Sequence, residues 1–121
     1  MYLQYYGGAG RYTLSFINLE RMRILLIDDH GVLRAGIRNL ILQAHKKAEI
    51  FEAAAAGEGL QIAVAEALDL IFLDLKLPQE AGGASSGEVG LNTLRALHDM
   101  ERPVPVIVMS GEFLMLNSVQ N

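Results

Sequence analysis

The sequence predicts an α/β domain organised around a doubly wound parallel sheet. Three observations carry that expectation. Short apolar runs at residues 24–27, 70–73 and 106–109 are too short to be buried helices. Segments with helical apolar spacing lie between them, the alternation that builds βαβ units. Polar residues close the runs, Asp28 and Asp29 after the first, Asp74 after the second and Ser110 after the third.

The elements follow in order. Tyr12, Leu14 and Phe16 alternate with Arg11, Thr13 and Ser15, a period of two that predicts a short strand inside an appended segment, residues 1–21. The domain proper is expected over 22–121. Its first strand is 24–27. Leu33, Ile37, Leu40, Ile41 and Ala44 then form one apolar face of a helix over 31–45. Residues 49–53 read as an edge strand because Glu49 and Glu52 interrupt it. Leu60, Ala63, Val64 and Ala67 mark a second helix, its start loosened by Gly57 and Gly59. The run 70–73 is the clearest buried strand, and Pro78 prevents simple continuation into a helix. Residues 78–90, PQEAGGASSGEVG, have no core-facing period and predict a mobile loop. Leu91, Leu94 and Leu97 then stripe a third helix, 106–109 is a fourth strand, and a fourth helix is expected from near Glu112.

Composition limits function. The 121 residues are 51% hydrophobic and 20% charged, ordinary for one globular domain. With no Cys there is no disulfide, thiolate metal site or thiol nucleophile, which fits a cytoplasmic setting. A net charge of -4 argues against this segment gripping nucleic acid. Its apolar runs fall far short of the roughly 20 residues that span a bilayer, so no membrane contact is expected. Met1 to Gly10 do not read as a secretory signal.

In open parallel sheets ligands bind beyond the carboxyl ends of strands, where strand order reverses, and that edge should carry Asp28, Asp29, Asp74 and Ser110. Carboxylates gathered there repel by about 1 kcal/mol per pair at 4 Å in water, and by about 4 at an effective dielectric near 20. A hard divalent cation, Mg2+ or Mn2+, offsets this and draws in a phosphoryl donor. One carboxylate can then act as nucleophile. Each residue also has a plainer reading. An Asp pair after a strand is often a turn or helix cap, and Ser110 can cap a helix. Lys76 reads as solvated, and His30, which could be a metal ligand or base, reads as a surface loop residue. His45 and His98 have no ligand spacing.

Three stretches, ILLIDDHGVLRAGI, LIFLDLKLP and VPVIVMSG, resemble the signature segments of response-regulator receiver domains in two-component signalling. The first looks most like regulators with a LuxR-type helix-turn-helix output. The resemblance, from Met22 to about Val119, implies a flavodoxin-like fold in which Asp74 is the phosphoacceptor for a histidine kinase. It further implies metal binding by Asp28, Asp29, Asp74 and the backbone carbonyl of Lys76, with Ser110 as the switch hydroxyl. A DNA-binding output would lie outside this chain.

Two departures stand out. The family's Lys at the end of a fifth strand has no counterpart before Asn121, so the fifth strand and helix are expected to be missing. That predicts a bare edge beside 106–109, paired with another copy, a swapped segment or residues 12–17. The 78–90 loop is also longer than usual for this connection, and is expected to modulate access of kinase or water. Two rival readings stand beside this one. A haloacid-dehalogenase-type phosphatase needs a second Asp where Lys76 stands. A receiver-like dimerisation module that is never phosphorylated is the other.

Overall fold

A computed structural model describes the backbone of residues 2–7, 10–15, 21–110 and 113–116, with side chains over 21–109. The elements are β1 (Tyr2–Gly7), β2 (Gly10–Ser15), β3 (Arg23–Ile27), α1 (Gly31–Ala44), β4 (Glu49–Ala53), α2 (Ala56–Ala65) and β5 (Leu70–Asp74). After them come β6 (Leu77–Pro78), β7 (Ser85–Ser86), α3 (Gly87–His98), β8 (Val106–Ser110) and β9 (Phe113–Leu116).

The main sheet has the order β4-β3-β5-β8-β9. Its first four strands are parallel, as the alternation of runs and helical segments predicts. From β3 the chain moves to β4 through α1, then back past β3 to β5 through α2. Right-handed crossovers in opposite directions put their helices on opposite faces. The core divides accordingly. Leu25, Ile27, Ile71, Leu73 and Val108 pack with Ala56 and Ala63 of α2 and Leu94 and Leu97 of α3. Ile24, Leu26, Leu70 and Ile107 face the other way, against Ile37, Ile41 and Leu42 of α1. Alternate residues of each strand thus serve two cores, which is why these strands are continuously apolar. Gly59 lets α2 approach β3, since a Cβ there would stand 2.7 Å from Ile27 Cδ1.

Several expectations change. In place of a fourth helix from near Glu112, β9 pairs antiparallel with β8, Ile107 with Leu116 through Ser110 with Phe113. Glu112 itself lies outside the described residues. A two-residue link suits a hairpin, whereas a parallel strand needs a long crossover. The run Phe113–Leu116 is also apolar throughout, with no polar face for a helix to expose. The edge of β8 is therefore not bare, and self-association through it loses its ground. Residues 10–15 do form the expected strand, but pair with residues 2–7 instead of with that edge. Phe16 and Ile17 lie outside the described residues.

The helices differ in detail. On α1, Leu33 and Leu40 are 48% and 68% exposed, although their period placed them on the core face. An apolar stripe buries only where another element meets it, and α1 contacts this face of the sheet through Ile37, Ile41 and Leu42. On α2, Val64 is exposed and Ala67 lies beyond the end of the helix. The 78–90 segment is more ordered than expected. Leu77 and Pro78 pair with Ser86 and Ser85 in a miniature antiparallel ladder. Ser86 caps α3, its hydroxyl accepting the Val89 N–H at 3.2 Å, so the helix starts at Gly87.

Candidate functional site

The reversal of strand order falls between β3 and β5, and the register there brings two acidic residues side by side. Ile27 pairs with Leu73, so Asp28, next after Ile27, emerges beside Asp74, the last residue of β5. The backbone N–H of Asp28 continues the ladder toward β4 by donating to the Ala53 carbonyl at 3.0 Å. The Asp28 and Asp74 side chains are buried, and Asp29 is partly exposed. The strand ends thus converge as the sequence predicts.

Each carboxylate has one oxygen held by the chain. Asp28 Oδ1 accepts the His30 N–H at 2.8 Å, and Asp74 Oδ1 accepts the Lys76 N–H at 2.9 Å. Asp29 Oδ2 accepts the Ser85 hydroxyl at 2.9 Å. The remaining oxygens turn inward. Among the described residues, Asp28 Oδ2 and Asp29 Oδ1 are buried with no hydrogen-bond partner. A buried, unpaired anionic oxygen is costly, so these atoms call for a cation. Asp28, Asp29 and Asp74 supply the hard oxygen donors that Mg2+ prefers, and the residues fit such an ion.

His30 lies in the exposed loop between β3 and α1, as the sequence predicts, and its ring also faces the carboxylates. It brings Nδ1 to 3.2 Å from Asp28 Oδ1 and 3.3 Å from both Asp29 Oδ1 and Asp74 Oδ2. A hydrogen bond to Asp28, with the charges of Asp29 and Asp28, raises its pKa above the usual imidazole range. Burial pushes the Asp74 carboxyl up, opposed by the Lys76 N–H and reinforced by Asp28. The leading causes differ, burial for Asp74 and a hydrogen bond to a carboxylate for His30, while the neighbouring charge of Asp28 raises both.

The remaining predicted residues are placed as follows. Lys76 sits two residues past Asp74 and contributes its backbone N–H. Ser110 ends β8 one residue beyond Met109, the partner of Asp74, at the same edge of the sheet. The Ser110 side chain lies outside the described residues. Ser85 had no sequence signal, because its approach to Asp29 depends on the β6–β7 pairing across an irregular loop. For His30 the signal was available, since a residue two positions from Asp28 at the N-terminus of α1 cannot move far from the strand end. Arg34, one turn into α1, donates to the Asp28 carbonyl and pairs with Glu52 at 2.9 Å, fixing the β3–α1 link to β4.

Comparison with known proteins gives the same picture. Residues 24–114 match the model of the response regulator receiver domain. The nitrate/nitrite response regulator protein NarL of Escherichia coli K12 is 37% identical over 93 residues, which is 77% of this chain and 39% of that protein. The chain therefore spans about two fifths of the length of this curated relative. Among solved structures, a CheY-like receiver domain protein from Methanospirillum hungatei is 27% identical with a TM-score of 0.61, over 77% of this chain and 66% of that one. A LuxR-family two-component response regulator from Aurantimonas is 28% identical with a TM-score of 0.61, over 77% and 61%. With 91 consecutive residues, 24 to 114, matched to one model and the acidic strand ends brought together by the same fold, the chain belongs to the response regulator receiver domain family.

Proposed function

We propose that this chain is the phosphoacceptor switch of a two-component system, taking a phosphoryl group on Asp74 from the phosphohistidine of a histidine kinase. The observation that carries the reading is the convergence of Asp28, Asp29 and Asp74, with buried oxygens that lack partners among the described residues. An oxygen of the ionised Asp74 attacks phosphorus as the phosphorus–nitrogen bond breaks, leaving an aspartyl phosphate here and a free imidazole on the kinase. Asp28, Asp29, Asp74 and the Lys76 carbonyl would hold Mg2+ or Mn2+, which when bound supplies charge neutralisation for the incoming phosphoryl group. The Lys76 N–H keeps Asp74 Oδ1 oriented, leaving Oδ2 as the attacking atom. The Ser110 hydroxyl, one residue past the partner of Asp74, would move toward the phosphoryl oxygens and bias a two-state surface.

In this reading the chain is a stoichiometric signal carrier instead of a turnover enzyme, with at most slow self-dephosphorylation. Residues 22–121 form the receiver and 1–21 an extension. The full protein would be a cytoplasmic transcription regulator, passing the signal to a DNA-binding output segment like that of LuxR-type relatives. Beryllofluoride with Mg2+ tests the core of the proposal. Amide resonances around Asp74 should shift in the wild type and stay in place in Asp74→Asn. An unchanged wild-type spectrum would favour a receiver-like module that is never phosphorylated.

A further inference from the structure

The carboxylates are arranged around a nitrogen atom as well as around each other. Nδ1 of His30 faces Asp28 Oδ1, Asp29 Oδ1 and Asp74 Oδ2 at 3.2, 3.3 and 3.3 Å. Imidazole Nδ1 carries at most one proton, so it can serve one of these three oxygens well at a time. Among the described residues its one hydrogen bond goes to Asp28 Oδ1, while Asp29 Oδ1 and Asp28 Oδ2 keep no partner. A hydrogen bond thus leaves the cluster unsatisfied. A cation would not, because it accepts lone pairs from all of these atoms together. Donor atoms bonded at about 2.1 Å to one ion stand about 3.0 Å apart along an octahedral edge and about 3.4 Å along a tetrahedral one. The separations around His30 Nδ1 fall between these values. One ligand atom from each of Asp28, Asp29, His30 and Asp74 lies within 4.8 Å of the others.

We propose that His30 is a further metal ligand of this site, through Nδ1, and makes it a binding site for a borderline transition-metal ion of the Ni2+, Cu2+ or Zn2+ class as well as for Mg2+. The inference rests on the acidic site described above and extends its ligand set by one nitrogen. Three carboxylates alone suit hard ions, whereas an added imidazole favours ions later in the first transition row, whose affinity for nitrogen rises from Mn2+ to Cu2+. His30 is suited to this role by position. It precedes α1 and makes no side-chain capping bond, so its ring is free to turn toward the strand ends. Its ring is 63% exposed, which leaves a path for the ion to enter. Because Asp74 Oδ2 belongs to the same donor set, a transition-metal ion seated there occupies the oxygen that would attack phosphorus.

Calorimetric titration of the whole chain tests this, in a background carrying His45→Asn and His98→Asn to remove the other two imidazoles. NiCl2 and MgCl2 are titrated separately, before and after adding His30→Ala or His30→Gln. Ni2+ should bind with one ion per chain and at least about tenfold more tightly than Mg2+. Either His30 change should lower Ni2+ affinity about tenfold or more, while Mg2+ affinity changes less than about threefold. The Cu2+-loaded protein should show nitrogen hyperfine structure in its electron paramagnetic resonance spectrum, lost on substitution of His30. Ni2+ affinity that ignores both His30 variants overturns the inference, as does an equal loss for both ions. If Mg2+ binds and beryllofluoride shifts the Asp74 resonances while Ni2+ ignores His30, the receiver reading stands and the His30 role alone falls. If neither ion binds the unsubstituted site, the acidic site itself is refuted.

Discussion

Replacing Gly90 by alanine tests the packing that sets Asp74 in place. Gly90 lies in the first turns of α3, and a Cβ built on it would stand 1.7 Å from the Leu75 carbonyl oxygen, 2.3 Å from its carbon and 2.4 Å from Leu75 Cα. All three are backbone atoms of the residue that follows Asp74, so no side chain can swing aside. Reaching even the 3.0 Å limit of real Cβ contacts needs a shift of 1.3 Å, from 1.7 to 3.0. Overpacking usually costs about 1–3 kcal/mol, and a backbone clash belongs at the upper end, near 3. For a domain of this size each kcal/mol moves the midpoint by about 4–8 °C, so Gly90→Ala should lower Tm by about 12–24 °C. Thermal unfolding followed by circular dichroism measures it. Gly36→Ala is the opposite case, a helix-interior glycine of α1 whose Cβ would meet nothing within 4 Å. It should stabilise by about 0.5–1 kcal/mol. A Gly90→Ala midpoint within about 3 °C of wild type would refute the claim that close approach of α3 to Leu75 positions the acceptor strand end.

Other outcomes follow from the site. Ser85→Ala removes the 2.9 Å bond to Asp29 Oδ2 and should weaken Mg2+ binding about tenfold by calorimetry, with little change in Tm. It is a cleaner test of the loop than deleting 81–88, which would also remove Ser86, the cap of α3. Without metal, stability should fall with rising pH for two reasons of the same sign. The folded Asp74 pKa is raised from 3.8 by burial, so the unfolded chain gives up its proton first and stability declines from that pH through the raised value. The folded His30 pKa is raised from 6.5 by its bond to Asp28, so the stability it adds is complete below 6.5 and lost as pH climbs through the folded value. Urea midpoints at several pH values should show Asp74→Asn removing the acidic limb and His30→Gln the neutral one. Saturating Mg2+ at about 100 times its Kd should add about 2.7 kcal/mol to wild-type stability and much less to Asp29→Ala, read as a shift in Tm.

The amino-acid order by itself determined the four parallel strands and the placing of Asp28 and Asp74 at the strand ends. Buried parallel strands need apolar residues on both faces, so they appear as continuous runs, and the first polar residue after each run marks its carboxyl end. That local signal survives without knowledge of what packs where. What only the tertiary structure decided are contacts set by angles between elements. Leu33 and Leu40 fit the apolar stripe of α1 yet stay exposed, because the stripe says nothing of how far the neighbouring element extends. The edge of β8 made residues 113–116 a strand by offering them a ladder, where the sequence reading expected a helix. Ser85 reaches Asp29 across 56 positions through a two-residue ladder, and His30 reaches three carboxylates because β3 and β5 lie side by side. Strand formation is written in local spacing, whereas the completeness of a charged site depends on long-range register, which no short window of residues contains.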